Sequence, residues 1–267
     1  FGYIGTPTSL AALPLATQAG TPFIAPFTGA MGLRAPFNRL AFHLRASYND
    51  ETALIVRQLT SLGLNDIAVF HQNDAYGKAG LDGVTLAMAA RNLKPKATAT
   101  VERNSVDVTK AVATIVAARP QAVVQISAYA SCAAFIREAR KAGYGGTFYN
   151  VSFVGTQALA DELGKDGAGV VISQVVPNPF STARPITRDF LDAIERGGNK
   201  VQPNFSSFEG YLAARMLTEG ARRAGGRLNP DSLVNGLEAI GDTSFGGFSI
   251  SLGPNNHVAS KFAELSM

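Results

Sequence analysis

At 267 residues with 46% apolar side chains, the chain is long enough for two domains of ordinary size, each with its own core. Twenty-four basic against twenty acidic residues give a dispersed net charge of +4, without the aromatic-interleaved basic stripe of a nucleic-acid surface. No apolar run approaches the roughly 20 residues of a membrane span, and the single Cys132 excludes an internal disulfide and a cysteine-based zinc site.

The opening, Phe1 to Arg34, reads as strand end, polar turn, helix, strand and second polar turn. Tyr3-Ile4 leads into Gly5-Thr6-Pro7-Thr8-Ser9, and Phe23 to Pro26 leads into Phe27-Thr28-Gly29-Ala30. Both turns offer hydroxyls and backbone N–H groups and contain no acid, metal ligand or activated nucleophile. In an open α/β sheet such turns gather at the carboxyl ends of the strands, where helix N-termini hold anions. Between the turns, Thr8 to Ala19 predicts an Ala/Leu-rich helix with a kink or late start at Pro14. Arg39 to Leu44 predicts a strand running into Arg45-Ala46-Ser47-Tyr48.

Asn49 or Asp50 caps a helix to about Leu62, ended by Gly63. A regular βα run follows: strands at Ile67–His71, Lys96–Val101, Ala122–Ser127, Thr147–Val151 and Gly169–Val176. The helices between them are Tyr76–Asn92, Asp107–Ala118, Ser131–Ala142 and Thr156–Leu163. This alternation is the signature of a mostly parallel sheet covered on both faces. Right-handed crossovers then place Tyr76, Tyr129 and the Ser152-Phe153 turn on one rim.

Pro177 to Pro185 is a composition break. Helices are expected at Ile186–Arg196, Ser206–Ala224 and Pro230–Ile240. The tail, Phe248–Leu252 and Ala259–Leu265, alternates and predicts a hairpin around Gly253-Pro254-Asn255-Asn256.

Little here supports catalysis. The three histidines, His43, His71 and His257, fall in or near strands or in the tail and suit core or surface roles, and no nucleophile elbow, dinucleotide fingerprint or phosphate loop occurs. The pairs Asp50-Glu51 and Asp161-Glu162 sit where first helical turns and exposed faces want acids. Neither a metal nor another cofactor is expected. Cys132, near Tyr129 at the start of a helix, suits small apolar packing better than a reactive thiol.

The opening stretch, continued by Leu44-Arg45-Ala46-Ser47-Tyr48, Asn73-Asp74-Ala75-Tyr76-Gly77, Ser173-Gln174-Val175-Val176-Pro177 and Phe205-Ser206-Ser207-Phe208-Glu209-Gly210-Tyr211, resembles the leucine/isoleucine/valine-binding family of periplasmic solute-binding proteins. These are the type I receptors of ABC uptake transporters, and the ordered series of motifs carries the likeness. The resemblance implies two doubly wound, Rossmann-like α/β lobes joined by three crossings: lobe I at 1–47 plus 178–247, and lobe II at 48–177 plus 248–267. It also implies that βα units precede Phe1, about 60 to 80 residues at some 30 per unit, so that lobe I is incomplete here. The expected function is that of a periplasmic, monomeric receptor binding a branched-chain amino acid or another small carboxylate, aromatic ones included, by hinge closure. Its partner is the membrane permease. A ligand-sensing module uses the same fold and stays open; an acid- or amide-processing enzyme is the weaker alternative.

By resemblance, Thr6 and the Thr28-Gly29 turn hold the ligand carboxylate, with Thr8 and Phe27 beside them. Tyr48, Tyr76, Tyr129, Ser152 and Phe153 complete the ligand-binding set. One departure stands out: where amino-acid-specific members carry an acid for the ligand ammonium, this chain has Ser152. Asp74, Tyr48 or another group must then supply the partner, or the solute lacks an amine, since a buried ammonium without one is costly.

Overall fold

The structure, a computed structural model, describes every residue except Asn199. The chain folds as two compact units, Phe1–Ala46 with Val175–Phe262, and Ser47–Gln174 with Ala263–Met267. In chain order the first unit opens with residues 1–4, then α1 (Thr6–Gln18), β1 (Phe23–Ile24) and β2 (Ala41–Phe42). The second unit runs through α2 (Tyr48–Ser61), β3 (Ile67–Gln72), α3 (Ala75–Ala89), β4 (Thr98–Val101), α4 (Thr109–Ala118), β5 (Ala122–Ile126), α5 (Tyr129–Lys141), β6 (Thr147–Asn150), α6 (Thr156–Leu163) and β7 (Val170–Gln174). The chain returns to the first unit for α7 (Pro185–Arg196), α8 (Phe205–Ala224), α9 (Pro230–Glu238), β8 (Gly241–Phe245) and β9 (Phe248–Leu252), and ends in the second with β10 (Glu264–Ser266).

The second unit is built on a six-stranded sheet in the order β10-β7-β6-β5-β3-β4, parallel throughout except for β10. Its central strands are buried apolar runs, as a sheet covered by helices on both faces requires. One face packs Phe70, Phe135, Phe148 and Ile136 into a core, with Phe70 and Phe135 stacked at 4.3 Å. Cys132 is fully buried in that core, where burial pushes its thiol pKa up; it is an inert packing residue.

In the first unit, residues 1–4 run alongside β1: Gly2 N donates to Ile24 O at 3.0 Å and Phe27 N to Tyr3 O at 2.7 Å. β1 pairs in parallel with β2, and His43 bridges in parallel to Val258. Phe42, Phe190, Phe208, Leu212 and Phe248 fill the core of this unit, where Phe190 and Phe208 stack at 4.7 Å.

Several boundaries differ from expectation. α1 starts at Thr6 rather than Thr8, because Pro7 in its first turn is pre-set for a helix, and it runs through Pro14 unbroken. α2 is capped by Ser47, whose hydroxyl accepts from Asp50 N while the Asp50 carboxylate accepts from Ser47 N, leaving Asn49 and Asp50 inside the helix. The tail turns back at Gly253–Asn256 as expected, where Gly253 and Asn256 exchange backbone hydrogen bonds of 2.9 Å and Ser251 N donates to Ala259 O at 2.8 Å, but the expected strand ladder with Ala259–Leu265 is corrected. Phe248–Leu252 forms its ladder with Gly241–Phe245 through the two-residue turn Gly246-Gly247, whose φ values of 55° and 96° favour glycine. The last strand, β10, pairs antiparallel with β7. The tail from Phe248 to Phe262 therefore belongs to the first unit rather than to lobe II, since Phe248, Ile250, Leu252 and Ala259 pack into its core. The other divisions fall after Ala46 and after Gln174, where the expectation placed them after Ser47 and Pro177.

Candidate functional site

The first unit presents a face of hydrogen-bond donors. Gly5, at φ 95°, turns the chain into α1 so that Thr6 is the first helical residue, and no side chain caps the helix. Thr6 and Thr28 are buried, and their hydroxyl oxygens lie 2.7 Å apart. Thr28 Oγ1 also accepts from Ala30 N at 3.3 Å. Two hydroxyls carry two protons and one bridges the pair, so a second remains to be donated. Among the described residues no acceptor takes it. Ser9 lies one helical turn beyond Thr6, fully buried, and its hydroxyl has no hydrogen-bond partner among the described residues. Ser9 was not among the expected ligand residues; its i+3 spacing from Thr6 was the available signal.

The Thr28-Gly29 turn is held from behind. Arg34 donates to Thr28 O and Ala30 O at 3.4 and 3.2 Å, and its other amino group donates to Arg45 O at 3.0 Å. Arg45 is itself buried, its Nη2 donating to Glu209 Oε2 at 2.9 Å and its Nε in an ion pair 2.9 Å from Oε1, with its guanidinium 4.4 Å above the Phe27 ring. Thr6, Phe27, Thr28 and Gly29 are thus brought together. Thr8 is not with them: it is exposed, and its hydroxyl donates back to Ile4 O and, at 2.9 Å, to Gly5 O.

The second unit presents an aromatic and acceptor face at the carboxyl ends of its strands. Tyr48 opens α2 and Tyr76 lies in the first turn of α3; the rings are 5.5 Å apart, and Phe153 packs 4.6 Å from Tyr76. Gly77 makes this placement possible, because a Cβ there would stand 1.8 Å from Gln72 O. Tyr129 is 43% exposed at the start of α5 and makes no ring contact with this group. Asp74 is the N-cap of α3, accepting from Tyr76 N, Gly77 N and Gln72 Nε2, so its carboxylate already serves the helix.

Ser152 has a carboxylate behind it that the sequence reading assigned to a helix first turn. Glu51 is fully buried. Its Oε2 accepts from Ser152 N at 2.8 Å and from Ser173 Oγ at 2.5 Å, and its Oε1 from Ser152 Oγ at 3.1 Å. Asp50 caps the helix as acids in a first turn do, while Glu51 turns inward with Tyr48, Thr52, Ile55 and Leu59. That spacing of three and four residues was the missed signal.

A family-wide profile described as periplasmic binding protein matches residues 1–263. The chain belongs to the periplasmic binding protein family. A solved structure of a possible leucine/isoleucine/valine-binding protein from Rhodopirellula baltica is 34% identical, covering 99% of this chain and 73% of that one at a TM-score of 0.95. A substrate-binding periplasmic protein from Ralstonia solanacearum is 28% identical, over 99% and 76%, at 0.90. A branched-chain amino acid ABC transporter protein from Thermus thermophilus, solved with bound valine, shares the fold at 16% identity, over 98% and 72%, at 0.86. No protein with a curated functional record matched. The fold is that of a type I periplasmic binding protein, and the family and these neighbours are solute-binding proteins. Among the described residues of this periplasmic binding protein, no helix is long and apolar enough to cross a membrane and no cluster of metal-ligating side chains occurs.

Proposed function

We propose that this periplasmic binding protein is the extracytoplasmic receptor of an ABC uptake transporter, holding a branched-chain amino acid or another small carboxylate without any covalent step. The carrying observation is the Thr6–Thr28 pair, with one hydroxyl proton left to donate at the start of α1. A helix N-terminus and neutral donors suit a carboxylate, which they hold without a counter-charge. Tyr48, Tyr76 and Phe153 supply an aromatic cover for the rest of the solute. Solute would engage one unit first and favour a closed arrangement through added contacts with the other, the form a membrane permease would accept. The receptor acts as a monomer. A binding role fits the histidines, which bond to Leu33 O, Gln72 O and Glu238 rather than to a hydroxyl or thiol.

A thermal-shift panel of small carboxylates tests the reading. At a hundredfold excess over Kd, binding should add about 2.7 kcal/mol and raise Tm by several degrees. Thr28→Val should weaken every carboxylate that binds by about tenfold, because it removes a buried donor to a charged group. A panel in which carboxylates leave Tm unmoved, or a Thr28→Val protein that binds them as before, counts against it.

A further inference from the structure

We propose that the outer edge of β4, in the second unit, pairs with the same edge of a second copy of this chain, antiparallel and centred on Ala99. The inference goes beyond the receptor reading, which needs one copy only, and does not rest on it.

β4 ends the six-stranded sheet and pairs with β3 alone. Val69 N donates to Ala97 O at 2.9 Å and Asn73 N to Val101 O at 2.8 Å, which fixes the way the strand faces. In a parallel ladder alternate residues turn their backbone groups to the same neighbour, so Ala99 and Val101 serve β3 while Thr98 and Thr100 turn N–H and C=O outward. Both threonines are exposed, and among the described residues nothing bonds those outward groups. An open groove of about 480 Å³ lies between β4 and Lys110, Ala111 and Thr114 of α4. An unpaired edge of this kind is a template for another strand, and natural edges are commonly blunted by a charge or a proline within the strand. β4 reads Thr-Ala-Thr-Val and carries neither.

The edge is complementary to itself, which selects a second copy over an unrelated strand. With a twofold axis at Ala99, Thr98 stands opposite Thr100 of the second copy, and the two exchange their outward hydrogen bonds. Threonines directly opposite one another make a favourable cross-strand pair. At each end of the paired stretch Lys96 stands opposite Glu102 of the second copy, so the register that satisfies the threonines also sets opposite charges face to face. Moving the axis to Ala97 or to Val101 loses both matches, setting Lys96 against Thr98 or Glu102 against Thr100. Lys96 and Glu102 are exposed, and each has a local partner, Asp66 at 2.5 Å and Asn73 at 2.7 Å, which a contact between copies would join rather than replace. The strand is short, so the association is weak.

Sedimentation velocity of the full chain between about 10 μM and 1 mM, a range suited to a small interface, tests the pairing. The wild-type protein should pass from monomer to dimer across that range. Thr100→Pro removes an outward N–H and keeps the β3 ladder, because the lost donor does not face β3; this variant should stay monomeric. Lys96→Glu alone and Glu102→Lys alone each set like charges opposite one another at both ends and should weaken the dimer about tenfold. Mixed in equal amounts, these two variants are complementary again, and the mixture should return to within a few-fold of wild-type association. That recovery decides the matter if Thr100→Pro fails to fold. A wild-type protein that stays monomeric throughout overturns the inference. So do charge variants that associate as the wild type does, which would move the contact to another surface, and a mixture that associates no better than either variant alone. The carboxylate reading stands or falls separately, on the thermal-shift panel.

Discussion

His43 shows how much a single side chain can depend on its surroundings. It lies in the first unit's core, its Nε2–H donating to Leu33 O at 3.1 Å, and burial followed by the nearby Arg34 charge lowers its pKa to about 3 from an ordinary 6.5. His257, also lowered mainly by burial, faces it and adds to the effect. The unfolded chain therefore takes up a proton below about pH 6.5 that the folded chain refuses until about pH 3. Stability from this residue is complete above the unfolded value and falls by about 1.4 kcal/mol per pH unit as pH drops through that window. Thermal melts at pH 4 to 7 check this. Replacing His43 by Gln, which keeps a donor for Leu33 O, should flatten the acid side of the profile by about one proton. An unchanged slope would mean that His43 titrates normally. The histidine was visible in the sequence as a strand residue; its shifted titration arises chiefly from burial in the unit's core, to which the Arg34 and His257 charges add.

At the scale of elements, the aromatic rim depends on how closely α3 approaches the sheet. The first turn of α3 lies against the end of β3 at Gln72, and the next turn lies over Ile126 of β5, where a Cβ on Gly80 would stand 2.5 Å from the isoleucine side chain. Gly77→Ala meets backbone rather than a flexible side-chain end, so α3 must shift away from β3. The expected loss is about 1–3 kcal/mol or more from overpacking, read by chemical denaturation. Because the shift carries Tyr76 with it, solute affinity should fall as well. A variant with wild-type stability and affinity would show that the approach is looser than the structure has it. α2 carries a similar lesson. Its existence and length follow from helical periodicity, and Ser47 with Asp50 forms a recognisable capping box. That Glu51 faces inward follows from burial of the Tyr48, Thr52, Ile55 and Leu59 stripe, which the helix period contains but first-turn charge preference conceals.

For the whole molecule, the opening segment carries apolar side chains that its own unit leaves in solvent: Phe1, Tyr3, Ile4 and Leu15 are 56%, 47%, 68% and 68% exposed. Apolar surface on this scale marks a site of association. The chain of residues 1–267 alone should bind an apolar fluorescent dye, and the double change Ile4→Lys with Leu15→Glu should reduce dye binding and aggregation. Its cost in stability should stay within about 0.5 kcal/mol, because neither side chain is packed. Dye binding that persists at full strength would place the sticky surface elsewhere.

The βα alternation, the mainly parallel sheet and most helix extents were legible in the sequence because they rest on local quantities: apolar runs, helical period, caps, Gly and Pro. The family was legible because its motifs recur in order along the chain. The pairing of Phe248–Leu252 was not foreseen, although Gly246-Gly247 between two phenylalanines is a short-range hairpin signal; the polar Gly241-Asp-Thr-Ser stretch hid the partner strand. The hydroxyl pair Thr6–Thr28 joins residues 22 apart, and Glu51 meets Ser152 and Ser173 from 101 and 122 residues away. No local preference encodes those meetings. They are decided when strands of one sheet bring their carboxyl ends to a common edge, where a buried acid must find donors wherever the fold supplies them.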